Sequence, residues 1–525
     1  MAKPAPDVLA AHAARQPDKP AVVDDRPGRG VTSWSFAELD RQANRLGHAL
    51  LGLGIRPGET VVWCGMNSPG VVRMMHAARR IGVTSVPLNY RLTAEEAAYI
   101  VDDCDAAAVY ADAEFAEHFA RVRPRTSRLR HVLLFDAAGA GRSVPEGMHD
   151  ADALLAAAPD TPPIADAAGA SDRTMIYTSG TTGRPKGAVR SAIGDPEQLR
   201  RMVAFIGYRP EDVYLTTGPL YHSGPGGFMA IAHTLGNTVV LQRKFDPEDW
   251  LRLVAAHRVT TTFSAPAPIR LVCQLPDATK ARYARDSMQR MIANAAPWSY
   301  ALKELYLSDF PEHSLWEVYG STELGVDTIL RPEDQRRKPG SCGRAAPGVE
   351  LALFDEEGRV IDEPRRPGEL YIRSPSAFRT YHKAQDKYER GRRGDWLTVG
   401  DVAYRDEEGF YYICDRKNDM IISGGMNVYP AEVEAALDQH PDVLDVAVIG
   451  IPSEEWGEAV HAVVVRRDGG LDDAVLIGWA REHLAGYKLP RSISFVEEIP
   501  RNASGKILKK VLREPFWKDR ERRVG

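Results

Sequence analysis

Through its first 170 residues the chain alternates segments of helical periodicity with short apolar runs, and this alternation restricts the fold more than any other feature. Residues 36–53 repeat apolar side chains at helical spacing and stop at Gly54, and residues 71–80 read as a second helix. Residues 60–64, 83–88 and 106–110 are short apolar strands. Strands that alternate with helices require crossovers, so they form a parallel sheet with helices on its faces. An Ala/Pro-rich stretch at 151–170 is expected to connect this lobe, 1–170, to a second at 171–347. Near Gly348 the texture changes. Residues 349–354, 368–373, 396–404 and 410–414 are strand-like, and turns such as Asp355-Glu356-Glu357-Gly358 and Asp406-Glu407-Glu408-Gly409 separate them. That pattern indicates a small antiparallel β unit at 348–415. Beyond Asp415, short strands and helices return, and Pro430 occupies the first turn of a helix running through Leu437. About 110 residues remain there, enough for a separate small α+β domain.

Length agrees with such a division, because 525 residues exceed what one hydrophobic core holds. With 44% hydrophobic and 26% charged residues, the composition is that of a soluble globular protein. A formal net charge of −5 gives no global attraction to nucleic acid or to an anionic membrane. No apolar run of about 18 residues occurs, so no transmembrane helix is expected. The first residues lack the apolar core of a signal peptide, and the C-terminal Arg522-Arg523-Val524-Gly525 is not a peroxisomal address, so a cytoplasmic location is expected. The cysteines Cys64, Cys104, Cys273, Cys342 and Cys414 are odd in number and far apart, and read as reduced thiols without catalytic or metal role.

Chemistry concentrates first in Tyr177-Thr178-Ser179-Gly180-Thr181-Thr182-Gly183-Arg184-Pro185-Lys186-Gly187, which follows a short apolar start, Thr174-Met175-Ile176. Its glycines let backbone N–H groups turn toward an anion, its hydroxyls add donors and Lys186 adds charge. By composition this is a loop that grips phosphate, although a flexible surface loop would carry similar residues. It is not a Walker loop, because Gly-x4-Gly-Lys-[Ser/Thr] cannot be fitted to it.

This loop closely resembles the signature of the adenylate-forming superfamily, which contains acyl-CoA synthetases, peptide-synthetase adenylation domains and firefly luciferase. Four further motifs occur in the family's order. Tyr319-Gly320-Ser321-Thr322-Glu323 resembles the adenine and magnesium motif, and Gly400-Asp401 the ribose-binding pair. The run Asp415-Arg416-Lys417-Asn418-Asp419-Met420-Ile421-Ile422-Ser423-Gly424-Gly425 resembles the domain hinge. Pro500-Arg501-Asn502-Ala503-Ser504-Gly505-Lys506 resembles the C-terminal catalytic-lysine motif. The resemblance covers nearly the whole chain. It implies an α/β fold with a large N-terminal domain of packed α/β sheets plus a small antiparallel β-barrel (1–415), a hinge at 416–418, and a small mobile α+β domain at 419–525.

The resemblance also implies roles that fit the residue types. Tyr319 can stack on adenine, beside the backbone at Ala295-Ala296-Pro297. Thr322 can donate to the α-phosphate. Glu323, with Thr178, offers hard oxygens to Mg²⁺. Asp401 can accept from both ribose hydroxyls, and Arg416 presents a donor fork to ribose or phosphate oxygens. Lys506 would neutralise charge as a carboxylate meets the α-phosphate. The basic residues around it, Lys509, Lys510, Arg513 and Lys518, read as a solvated helix face. His222, in Tyr221-His222-Ser223-Gly224-Pro225-Gly226-Gly227, falls where the family sets an aromatic or histidine beside the substrate carboxylate. Those glycines fit a roomy acyl pocket or a tight turn equally well. Two departures stand out. Asn418 replaces the Asp or Lys common at the hinge, and Ala293-Asn294-Ala295-Ala296-Pro297 has fewer glycines than usual.

The resemblance implies an ATP-dependent ligase that forms acyl-AMP and then passes the acyl group to coenzyme A, which enters past Gly424-Gly425. ATP, Mg²⁺, coenzyme A and a small carboxylic acid are the expected ligands. Transfer to a carrier protein, a luciferase and a non-catalytic nucleotide-binding regulator are the alternatives. No charged residue is assignable to the acid pocket, so a lipophilic acid, fatty, aromatic or ring-bearing, is expected. A homodimer is compatible with the sequence. Pro500 to Lys506 also fits the Pro-x4-Gly-Lys pattern that lysine acetyltransferases read in related synthetases, which makes an acetyltransferase and a deacetylase acting on Lys506 candidate partners.

Overall fold

The computed structural model describes residues 7–163, 173–178, 184–191, 195–296, 298–417, 419–467, 470–501 and 507–518. Two large sheets dominate it. In the eight-stranded sheet, Thr84–Leu88, Thr60–Cys64, Ala106–Asp112 and His131–Phe135 run parallel, as the alternating pattern requires. In the nine-stranded sheet, Thr238–Leu241, Val213–Thr216, Thr261–Ser264, Arg290–Ala293 and Leu315–Ser321 are parallel neighbours. Each sheet also contains an antiparallel hairpin toward one edge, and these hairpins cross the sequence boundary near 170. Pro20–Arg26 and Gly30–Ser35 join the nine-stranded sheet, while Arg173–Thr178 and Lys186–Ser191 join the eight-stranded one.

The helices Phe36–Gly52 and Pro69–Arg80 lie between the sheets. One continuous apolar cluster joins Val61 and Tyr110 of one sheet to Val22 and Val239 of the other through Leu39, Leu46, Val72 and Ala77. The second helix begins earlier than its periodicity suggests, because Ser68 caps the Val71 N–H and Pro69 pre-sets the first turn. Residues 151–157 differ from the expected connector. Ala151–Ala157 is a helix, capped by the Asp150 carboxylate at 3.1 Å from the Ala153 nitrogen, and its alanines favour that state. The later part of that stretch lies outside the described residues.

The antiparallel β unit forms as expected: Glu350–Phe354, Gly368–Arg373, Trp396–Leu397, Asp401–Arg405 and Tyr411–Arg416 belong to one six-stranded sheet. Residues 421–495 build a five-stranded sheet with its own core around Ile421, Val448, Val460 and Leu476. Pro430–Leu437 packs on it with the proline in its first turn. Of the basic tail, Lys510 and Lys518 are exposed as expected, but Lys509 and Arg513 are not part of a solvated face. Lys509 lies 2.9 Å from Glu434 and 3.6 Å from Asp415, and Arg513 lies 2.9 Å from Asp419, so the helix Lys509–Arg513 clasps both flanks of 416–418. Burial pulls the Lys509 ammonium's pKa down, but the surrounding carboxylates outweigh it and hold it above the lysine range. All five cysteines are free thiols, and burial pushes Cys273, Cys342 and Cys414 up to about 12, so they are unreactive near neutrality.

Candidate active site

A cavity of about 1790 Å³ opens among the two sheets and the β unit. The hairpin Arg173–Thr178/Lys186–Ser191 places Thr178 opposite Lys186 in register, and both line the cavity. From the other sheet, Leu315–Ser321 delivers Gly320, Ser321, Thr322 and Glu323 to the same space. Position 320 admits only glycine, because a Cβ there would meet the Gly325 carbonyl oxygen at 1.9 Å.

Hydrogen bonds knit these elements together. Thr178 Oγ1 donates to Glu323 Oε1 at 3.1 Å, and Tyr381 OH donates to the same oxygen at 2.9 Å. Thr322 Oγ1 meets Ser223 Oγ at 2.8 Å, tying the motif to the start of the helix Ser223–Leu235. Arg190 donates to the Thr322 carbonyl and, at 2.8 Å, to the Ser376 carbonyl. Tyr319 OH donates to Asp401, and Arg416 Nε lies 3.4 Å from the other Asp401 oxygen. Asp401 and Arg416 are register partners on adjacent strands, which explains that pairing. Burial and the Asp401 charge push the Tyr319 phenol well up, so it stays a donor. Burial alone would lower Arg416, but Asp401 raises it.

Ala295 lines the cavity near Gly320 and takes a left-handed φ of 71°. A side chain disfavours that conformation, so the shortage of glycines in this segment leaves a strained residue on the cavity wall. His222 also lines the cavity, its ring tilted by 54° against Tyr221 at 4.4 Å between ring centroids. Gly424 and Gly425 form the turn between Ile421–Ser423 and Met426–Val428, in the smaller sheet, and do not line the cavity. Ser179, Gly180, Thr181, Thr182, Gly183, Pro297, Asn418 and Lys506 lie outside the described residues.

Sequence reasoning missed several residues here. Tyr381 and Arg190 hold the Glu323 and Thr322 segment, and Arg190 shares the face of Lys186 by strand alternation, a signal that was legible. Lys387 reaches the cavity from the helix Gln385–Arg390. Burial and the nearby Lys186 and Arg416 lower its pKa, against the pull of Glu323. Nothing local marked it.

Behind the site the cavity continues between Pro69–Arg80 and Ser223–Leu235, where two histidines join the helices. His233 Nε2 lies 3.0 Å from the Ala21 carbonyl, so it carries the proton and donates. His233 Nδ1 therefore accepts from His76 Nε2 at 2.9 Å. Both imidazoles are neutral. Burial pushes His233 down to about 4, and burial with the charges of Arg79 and Arg80 holds His76 well below the usual range. A depressed folded-state pKa gives stability that is present above the unfolded value of 6.5 and is lost as pH falls toward about 4. For His233 alone the loss is about 3 kcal/mol. Urea midpoints at about pH 7 and about pH 4 should differ accordingly, and His233→Asn should flatten that difference; an equal slope in both proteins would refute the assignment.

The arrangement sets a lysine, hydroxyls and a carboxylate beside the Tyr319–Asp401–Arg416 group, with a chamber behind them, a set of charges and donors suited to an enzyme that activates a substrate with a nucleotide. The chain belongs to the AMP-binding enzyme family, which matches residues 9–382, while the AMP-binding enzyme C-terminal domain matches residues 432–506. Within it, the chain is an AMP-forming acyl-CoA synthetase. It is 32% identical to the indoleacetate–CoA ligase of Aromatoleum aromaticum over 96% of each chain. It is 33% identical to the long-chain-fatty-acid–CoA ligase FadD13 of Mycobacterium tuberculosis, over 92% of this chain and 93% of that one. The structure of o-succinylbenzoate CoA synthetase from Bacillus subtilis, in complex with its acyl-adenylate intermediate, superposes with a TM-score of 0.83 at 28% identity, covering 97% of this chain and 98% of that chain.

Proposed function

We propose that the enzyme activates a lipophilic carboxylic acid. The carboxylate oxygen attacks the α-phosphorus of ATP and pyrophosphate leaves; the coenzyme A sulfur then attacks the acyl carbon and AMP leaves. The observation that carries this reading is the chamber behind the Thr178–Glu323 pair, whose walls include Leu199, Met202, Phe228, Ile231 and Phe263. Such walls favour a hydrocarbon body over water.

Tyr319 stacks on adenine, Asp401 and Arg416 hold the ribose, and Lys186 with the 179–183 loop grips the phosphates. Ala295 and Ala296, with Pro297, flank the base. Thr322 donates to the α-phosphate, and His222 stands beside the substrate carboxylate. Glu323 Oε2 makes no hydrogen bond among the described residues, and with Thr178 beside it this carboxylate fits Mg²⁺. The ion, when bound, neutralises phosphate oxygens. Gly424 and Gly425 serve the coenzyme A step, which requires the smaller domain to turn about 416–418.

Gly227 provides the test. It lines the chamber, and a Cβ built there meets nothing within 4 Å. Gly227→Leu should fill that space, cutting kcat/KM for long acids by about tenfold or more while short acids stay active, since each excluded methylene forfeits about 0.8 kcal/mol. Pyrophosphate release across an acid series measures this; parallel loss for all lengths would place the acid elsewhere.

A further inference from the structure

The chamber that receives the acid, on the reading just given, does not end in hydrocarbon. Ser223, bonded to Thr322, marks its reacting end. Gly227, Ala230, Ile231 and Thr234 follow on one face of the same helix and line the cavity. From Ser223 to Thr234 this wall is about 16 Å long at roughly 1.5 Å per residue. Across from it, His76 and Arg79 of Pro69–Arg80 line the same cavity, neighbours on one helix face.

The Arg79 guanidinium makes no ion pair or hydrogen bond among the described residues. Asp7, whose charge acts on it, is taken up by Arg80 at 2.7 Å. Arg79 is half-buried, and that burial pulls its pKa down. A half-buried cation without an acceptor is unfavourable, so the arrangement calls for an acceptor from the ligand. The hydrogen-bond chain through His233 leaves His76 Nδ1 as a lone pair, so it cannot supply a donor that competes with Arg79.

We propose that the acid carries a hydrogen-bond acceptor, a ketone or a second carboxylate, at the end remote from the reacting carboxyl, and that Arg79 binds it. The substrate class is therefore an acid with a lipophilic body and a polar far end. A charge-assisted hydrogen bond to a half-buried guanidinium discriminates by about ten- to a hundredfold.

The test compares dodecanoic acid, its (ω−1)-oxo counterpart, a methyl ketone of equal chain length, and the matching α,ω-dicarboxylic acid, by acid-dependent pyrophosphate release. The wild-type enzyme should favour the oxo or dicarboxylic acid in kcat/KM by about tenfold or more, and whichever arm leads identifies the acceptor. Arg79→Met should collapse that ratio and Arg79→Lys should restore part of it, with melting temperatures verifying that both variants fold. Equal use of all three acids by the wild type, or a preference that survives Arg79→Met, overturns the inference while leaving the ligase reading intact. Pyrophosphate release with none of the three, nor with any acid of a wider panel, overturns both.

Discussion

Asp401→Ala should weaken the apparent affinity for ATP by about ten- to a hundredfold while changing that for the acid far less. An ionised carboxylate that accepts from both ribose hydroxyls contributes about 1.5–3 kcal/mol. In the free protein, Asp401 already accepts from Tyr319 and pairs with Arg416 at 3.4 Å. The substitution therefore also releases the Tyr319 hydroxyl and leaves Arg416 without its partner, and on the proposed reading both losses act on the nucleotide. Asp401→Asn keeps the shape and should fall between wild type and alanine. Initial rates of pyrophosphate release at varied ATP, with the acid held constant, give the comparison. An unchanged ATP dependence in the alanine variant would remove Asp401 from the nucleotide site.

A larger effect is expected at Lys506. Lys506→Ala should slow acyl-AMP formation by about 10²–10³-fold, the usual loss for one preorganised donor at developing charge, and spare thioester formation from supplied acyl-AMP. The residue lies outside the described residues, so its role rests on the motif Pro500 to Lys506. The flanks are ordered around it: Arg501 bridges to Ile507, and the Leu508 N–H donates to the Pro500 carbonyl at 2.8 Å. Separate single-turnover assays of the two half-reactions measure the split. Equal loss in both would assign Lys506 to folding or to both arrangements of the smaller domain. Enzymatic acetylation of Lys506 removes the same charge and should reproduce the split reversibly.

Local physics made much of the fold legible. The strands Thr60–Cys64 and Ala106–Asp112 are apolar because both faces of the sheet are covered, and Pro430 marked its helix because proline suits a first turn. The motif residues Thr178, Lys186, Thr322, Glu323 and Arg416 were legible through resemblance, and they do share one cavity. What escaped depends on long-range pairing. Beyond its hairpin partner Gly30–Ser35, Pro20–Arg26 pairs with a strand some two hundred residues away, Val239 lying opposite Val22. Lys509 looked like a surface lysine until Glu434 and Asp415 came within reach. Arg79 looked like the last turn of an ordinary helix, where cations are favoured by the dipole, and only the packing of Ser223–Leu235 against it shows that it faces the chamber.

The central claim is that acid and ATP combine to acyl-AMP and that coenzyme A then discharges it. Rapid-quench product analysis with an acid the enzyme uses tests that order directly. Without coenzyme A, a burst of pyrophosphate stoichiometric with enzyme should appear together with bound acyl-AMP. Adding coenzyme A should then give sustained turnover, with AMP and acyl-CoA formed in equal amounts. Release of ADP and phosphate, a burst that needs no acid, or acyl-AMP that coenzyme A fails to discharge would contradict it.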